Sequence, residues 1–293
     1  MNVLQGPRRE LRRVIFNGSL HFAVPEDDRL RLDDGRLVAM GEAIHLAPCT
    51  PSKIICLHLN YMSRYFELRG KRHDDKSLYG TPTYFMKPVT SINAHGGEIV
   101  RPDGYQYLNY EGEVAIVIGK PTRNVTPDEA WDHIAGFTCA LDMGLQDMRD
   151  TDAGSMMRVK GADGFCPIGP GIVSGMDIRQ QTLRTWRNGR LVQEAAIADD
   201  MIFGFDYLVA DVARHITLMP GDLILTATPA NSRPLDVGDA IEVEVTGIGR
   251  LSNRVVASPA PRATVGHQPN GSSEVMRVAL GDDSRLPAHL LPK

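Results

Sequence analysis

Cysteine is scarce in this chain: Cys49, Cys56, Cys139 and Cys166 are the only four in 293 residues, with no Cys-x-x-Cys and no ligand-like pairing with histidine. That excludes a disulfide framework and reads as reduced thiols in a reducing compartment. Long apolar runs are also missing. The longest are a handful of residues, such as Val114 to Ile118, well short of a membrane span. The basic start meets only Val14-Ile15-Phe16-Asn17-Gly18, too short for a secretory leader. A cytoplasmic protein without membrane contact is expected. Nor does one charge dominate: the net charge is −4 with acids and bases interspersed, so no nucleic-acid surface is expected. The one basic cluster, Arg8, Arg9, Arg12 and Arg13, reads as a solvated or dimer-contacting arm. There is no internal repeat.

What remains is an ordinary globular composition, 42% apolar and 23% charged, with 28 glycines and 19 prolines punctuating short β-like runs. Helical signals are few, so a mixed α/β fold, mainly β, is expected. Residues 1–50 read as an N-terminal arm and small β-subdomain, with turns at Asn17-Gly18 and Asp33-Asp34-Gly35. A break at Ala47 to Pro51 opens a larger unit, 51–256. Its strands are expected at 53–58, 84–87, 111–118, 136–142, 165–173, 182–187, 222–227 and 239–246. Thr126-Pro127-Asp128-Glu129 carries a capping box and should start a helix running to about His133. A second helix is expected over about Phe205 to Ile216, with Leu208, Val212 and Ile216 at fourfold spacing. Residues 257–293 read as a tail of little core-forming content, with Val275 to Leu280 as a strand that docks.

The most informative segment is Tyr110-Glu111-Gly112-Glu113, which runs into the apolar strand Val114 to Ile118. Side chains two apart in a strand share a face, so Glu111 and Glu113 project side by side. Two carboxylates at the mouth of an apolar strand repel and lose hydration unless a cation or protons neutralise them. Taken alone, Glu-x-Glu also fits a solvated hairpin edge. Asp142 ends a second apolar run, Ala135 to Leu141, in the same setting and favours the ligand reading. Three carboxylates without histidine or cysteine suit Mg²⁺ or Mn²⁺ better than zinc. Lys160, in a glycine-rich loop before a strand, is either a loop lysine or a partner for an anionic substrate. The Thr226-Ala227-Thr228-Pro229 loop is either a simple turn or a carboxylate seat.

Taken in order, these segments resemble the fumarylacetoacetate hydrolase superfamily over about Lys53 to Val256. The resemblance rests on the ordered set: Leu59-Asn60-Tyr61, Phe85-Met86-Lys87-Pro88, Tyr110 to Glu113, Leu141-Asp142, Lys160-Gly161 through Pro170, Met201-Ile202-Phe203, Pro220-Gly221-Asp222 with Thr226 to Pro229, and Gly247 to Leu251. It implies a mixed β-roll core, a homodimer, and Mg²⁺ or Mn²⁺ held by Glu111, Glu113 and Asp142. It also implies Lys160 as the active-site lysine, with Thr228 at the substrate carboxylate and Lys87 in the substrate site. The substrates implied are 2-oxo acids, acylpyruvates and 2-hydroxydienoates, many from aromatic-compound catabolism.

Two departures bear on function. Hydrolytic and decarboxylating relatives often carry His-x-x-Glu on a lid helix after Asn-Tyr, and here Arg64 replaces the histidine while Glu67 remains. An arginine is no general base near neutral pH, but it suits a distal carboxylate. After Asp142, Gly144-Leu145-Gln146-Asp147 replaces the usual Ser-Ala-Arg-Asp, with Arg149 following. The Asp163 to Pro167 segment looks most like the isomerase/decarboxylase branch of homoprotocatechuate breakdown. The expected reaction is therefore decarboxylation and/or isomerisation of an unsaturated 2-oxo or 2-hydroxy dicarboxylic acid, with Lys160 and Glu67 as catalytic groups and Arg64 or Arg149 reading the far carboxylate. The alternatives are hydrolysis of an acylpyruvate such as fumarylpyruvate, with Glu67 and another base managing water, and a member that binds a metabolite without turning it over.

Overall fold

The computed structural model describes residues 3–73, 75–152 and 154–291. Its first strands form a meander: β1 (Arg9–Phe16), β2 (Ser19–Glu26), β3 (Arg29–Leu32), β4 (Leu37–Ala39) and β5 (Ile44–His45). Asn17 and Gly18 both take positive φ, 48° and 79°, which is the tight turn that an Asn-Gly pair between strands favours. Val14, Ala23, Leu30, Leu32, Val38 and Ala43 close a small core of their own. The meander is not separate from the rest, because Arg9 to Leu11 pair antiparallel with Ser174 to Ile172.

There follow β6 (Ile54–Leu57), α1 (Met62–Arg69), β7 (Tyr84–Lys87), β8 (Ile92–Ala94), β9 (Glu98–Arg101), β10 (Leu108–Asn109), β11 (Gly112–Ile118), α2 (Pro127–Ala130), β12 (Ile134–Leu141), β13 (Gly144–Leu145), α3 (Met157–Lys160) and β14 (Cys166–Ser174). The remainder is β15 (Thr182–Arg187), β16 (Arg190–Ala196), α4 (Ile197–Asp200), α5 (Phe205–Ala213), β17 (Leu223–Leu225), β18 (Ala240–Val245), β19 (Gly249–Ala257) and α6 (Ser273–Leu280). The main sheet runs β4-β3-β2-β1-β14-β12-β11-β17-β6-β7, and a second runs β16-β15-β18-β19-β9.

The fold is mixed α/β and mainly β, and both sides of its central strands are covered. Val114, Ile116 and Ile118 of β11 join the core shared with the second sheet, where Ile241, Val243 and Val245 meet them. Ala115 and Val117, pointing the other way, join a second core with Ile54, Cys56, Phe85, Val159 and Leu225. That is why β11 reads as one apolar run rather than an alternating one. The four cysteines are buried and free. Among the described residues no helix is long and apolar enough to cross a membrane.

All eight expected strands are present, with ends shifted by no more than two residues. The Thr126 capping box forms, and α2 continues as a 3-10 turn to His133. The C-terminal segment differs from expectation. Residues 273–280 are a helix, not a strand, because Val275, Val278 and Ala279 recur at helical spacing and Ser272 caps the first turn through Val275 N–H. That buried face also gives the tail more core content than its first half suggested.

Candidate metal centre and substrate pocket

The pairing register brings the carboxylates together. β11 and β12 pair antiparallel with Gly112 opposite Leu141 and Glu113 opposite Ala140. Asp142 N–H continues the ladder to Glu111 O at 2.9 Å. Glu113 shares the pleat side of Ala115, and Asp142 that of Ala140, so both point into the second core's end of the sheet. One ligand atom from each of Glu111, Glu113 and Asp142 lies within 4.8 Å of the others. Gly112 is demanded by the second sheet: a Cβ there would sit 2.1 Å from Thr185 Oγ1.

The three acids are not equivalent. Glu113 is fully buried, and among the described residues neither of its oxygens has a hydrogen-bond partner. The Ala227 N–H is near enough to favour the charged form without forming a hydrogen bond. Burial, then the neighbouring charges of Asp142 and Glu111, push the Glu113 carboxyl well above the usual range. Burial would raise Asp142 too, but Lys160 and Lys87 outweigh it and hold that carboxyl below the usual range. Lys160 Nζ donates to Glu111 Oε2 at 2.6 Å and to Asp142 O at 3.1 Å, and lies 2.8 Å from Asp142 Oδ2 as an ion pair without hydrogen-bond geometry. Burial acts to neutralise Lys160, yet Asp142 and Glu111 raise its pKa and keep it charged. An orphaned, buried carboxylate with two more converging on it fits a hard divalent cation bound through oxygen.

Lys87 lies behind this cluster rather than on the pocket wall. Its ammonium is buried and donates to Asp142 Oδ1 (2.6 Å), Lys160 O (2.5 Å) and Met143 O (3.3 Å). Such a partner orients Asp142, whereas the sequence reading expects Lys87 in the substrate site.

The cluster opens through Glu111 and Lys160 into a cavity of about 200 Å³, also lined by His58, Arg64, Phe85, Arg149 and Thr228. A wider groove of about 600 Å³ between residues 101–105 and 257–261 shares no residue with the acids, so the acid cluster is reached through the smaller cavity. Thr228 Oγ1 donates to Gly112 O at 2.9 Å and accepts from Gln193 Nε2 at 2.9 Å, tying the Thr-Pro loop to the ligand strand. Arg64, 3% exposed, donates to Glu67 Oε2 at 2.5 Å. Glu67 also takes Arg233 Nη1 at 2.7 Å and Asn231 N–H at 3.1 Å. Burial would raise its pKa, but Arg64 and Arg233 together hold it below the usual range. It is an anchored counter-ion. Arg149 is mostly buried, with Gln146 Oε1 at 3.4 Å and Glu274 Oε1 at 3.7 Å as its polar neighbours.

His58 was not singled out from the sequence. It follows β6 and tilts against Phe85, 4.8 Å between ring centroids. Burial first, then the charges of Lys160 and Arg149, lower its pKa and keep the imidazole neutral near pH 7. Its signal, a histidine two residues before the quoted Asn60-Tyr61, carries no meaning until the pocket is assembled.

The family profile described as fumarylacetoacetate (FAA) hydrolase C-terminal matches residues 53–256. A homoprotocatechuate catabolism bifunctional isomerase/decarboxylase of Escherichia coli is 36% identical over 76% of this chain, which spans about half (51%) of that relative's length. Oxaloacetate tautomerase, mitochondrial, of Xenopus laevis is 34% identical over 72% of this chain and 68% of its own. The crystal structure of 2-hydroxyhepta-2,4-diene-1,7-dioate isomerase from Mycobacterium marinum superposes with a TM-score of 0.76 at 32% identity, covering 86% of this chain and all of that one. With the profile spanning more than half of its residues, this chain belongs to the fumarylacetoacetate hydrolase family.

Proposed function

We propose that this chain is a divalent-metal-dependent enzyme that decarboxylates and/or isomerises an unsaturated 2-oxo or 2-hydroxy dicarboxylic acid, using Mg²⁺ or Mn²⁺. The observation that carries this reading is the orphaned Glu113 carboxylate, joined by Glu111 and Asp142 and opening into a cavity rich in cationic side chains. A bound divalent cation would supply a Lewis acid for the 2-oxo group. The chain's own residues do the rest. Lys160 holds a fixed positive charge beside Glu111, where negative charge develops on the substrate oxygens. Phe85 and Leu57 keep the inner wall apolar and limit water. The neutral imidazole of His58 is suited to take a proton from one carbon or oxygen of the substrate and return it elsewhere.

Glu67 argues against the hydrolytic alternative. Two guanidiniums and a backbone N–H occupy it, so it is poorly suited to accept a proton from water. The named relatives support the same reading, being an isomerase/decarboxylase, a tautomerase and an isomerase. The test is turnover of 2-hydroxydienoates and acylpyruvates by protein stripped with chelator and reloaded with Mn²⁺. Trapped CO₂ or a shifted ultraviolet band, lost in Glu111→Ala, supports the proposal. Two carboxylic acid products carrying solvent ¹⁸O mark a hydrolase instead.

A further inference from the structure

The family match ends at Val256, yet the cavity does not close without residues from beyond it: Arg277 and Val278 of α6 are part of its wall. The C-terminal segment is fastened there by many bonds. Asn270 donates from both its backbone and side-chain nitrogens to Asp147 O at 3.2 Å. Val275, Val278 and Ala279 are buried, and Asn109 Nδ2 donates to Ala279 O at 2.9 Å. The segment also caps the C-terminal end of α1. Arg277 Nη1 donates to Leu68 O (3.2 Å), and Arg285 Nη1 donates to Phe66 O (3.3 Å) and Glu67 O (2.8 Å). Cations on the last carbonyls of a helix compensate its dipole and hold it in place.

Charge shows what the completed cavity should take. Among the described residues, five cationic side chains line it, Arg64, Arg69, Arg149, Lys160 and Arg277, against the single carboxylate of Glu111. Glu274, one turn before Val278, holds two of them at the rim: Arg277 through Nε and Nη2 at 2.8 and 2.9 Å, and Arg149 at 3.7 Å. Arg149 is the under-compensated member, since a mostly buried guanidinium with neighbours at 3.4 and 3.7 Å retains donors for another anion. A second carboxylate on the substrate meets that need, and arginine forks suit it.

We infer that the C-terminal segment is the specificity element of this enzyme: α6 completes the substrate cavity, and Arg277 with Arg149 receives the carboxylate at the far end of a dicarboxylic substrate. This rests on the function proposed above, because it takes the near end of the same molecule to sit at the acid cluster.

The experiment is calorimetric titration of the full-length, Mn²⁺-loaded protein with 2-oxoadipate and with its distal monomethyl ester, which keeps the 2-oxo acid end and lacks the far charge. The wild type should bind the diacid at least tenfold tighter. Arg277→Ala should weaken the diacid roughly tenfold to a hundredfold while leaving the ester unchanged. Arg277→Lys, which keeps the charge without the fork, should recover part of the loss. Equal weakening of both ligands would mean that Arg277 merely props α1, and no weakening of either would mean that the far end lies elsewhere. Both results overturn the inference while leaving the proposed function standing. A wild type that binds Mn²⁺ but neither acid overturns the proposed function, and the inference with it.

Discussion

Glu113 would couple pH to any cation that the three acids hold. Its carboxyl is raised well above the usual range by burial and by Asp142 and Glu111. A carboxyl raised in the folded state stabilises the fold below its unfolded pKa, and that contribution drains away as the pH rises through the folded value. The metal-free protein should therefore weaken as the pH climbs above about 4.3, the unfolded glutamate value. Cation binding needs the charged form, so affinity should rise with pH and binding should release a proton. Titrating Mn²⁺ calorimetrically in two buffers of different ionisation heat measures that proton; Glu113→Gln should release much less of it. Equal release from both proteins would assign the proton to another group. Lys87 gives the complementary case. Because it orients Asp142 from behind, Lys87→Met should lower Mn²⁺ affinity about tenfold to a hundredfold, as losing a hydrogen bond that fixes a metal ligand does. A Lys87→Met protein with normal Mn²⁺ affinity but a raised KM would instead place Lys87 in contact with substrate. The carboxylate trio was legible because strand parity and apolar flanks are local properties. The setting of Lys87, three acceptors drawn from two other segments, is not.

At the scale of elements, α1 depends on a charge it buries. Glu67 sits between Arg64 and Arg233, and Glu67→Ala would leave the buried Arg64 without its counter-charge and Arg233 with only the exposed Asp283. Breaking such a buried pair costs about 3–5 kcal/mol, which urea unfolding would register as a lower midpoint at unchanged slope. A loss within about 0.5 kcal/mol, the range of ordinary surface changes, would refute the anchoring role. The pH sign here is opposite to that of Glu113. A depressed carboxyl contributes stability above its unfolded pKa and loses it as the pH falls toward the folded value. Elements with strong local patterns were legible, as β11 and α2 show. β16 and β19 were not, since Gln193 and Glu194 in one and Ser252, Asn253 and Arg254 in the other interrupt the apolar pattern. Both are held by pairing with neighbours in the second sheet, which local sequence does not show. The α6 segment is a helix where a strand is expected because Val275, Val278 and Ala279 suit either by composition, and only their spacing decides.

For the whole molecule, the site lies where distant segments are forced together. Its carboxylates come from the ends of β11 and β12, its ammonium groups from β7 and α3, and its outer wall from α1 and α6. Sequence order showed which segments carry chemistry, but not that β1 joins β14 or that the tail returns to the cavity; those follow from the closing of the sheet. A cation bound here should act on the stability of the whole unit. Without it, Lys160 and Lys87 offset Glu111 and Asp142, and Glu113 repels them once it ionises; with it, the three would become a tie between the strands. Binding only to the folded state stabilises by about 2.7 kcal/mol at a hundredfold excess over Kd, which for a chain of this size raises the melting point by roughly 5 °C. The variant Glu113→Gln reverses both parts of that behaviour while leaving the Lys160–Glu111 pair intact. It should melt higher than wild type when both are metal-free and the pH is high enough to ionise Glu113, because that buried charge is gone, and it should respond less to Mn²⁺. Scanning calorimetry of the two proteins, with chelator and with Mn²⁺, compares all four states. If the metal-free variant melts below wild type, the acids are not a strained cluster awaiting a cation, and their convergence needs another cause.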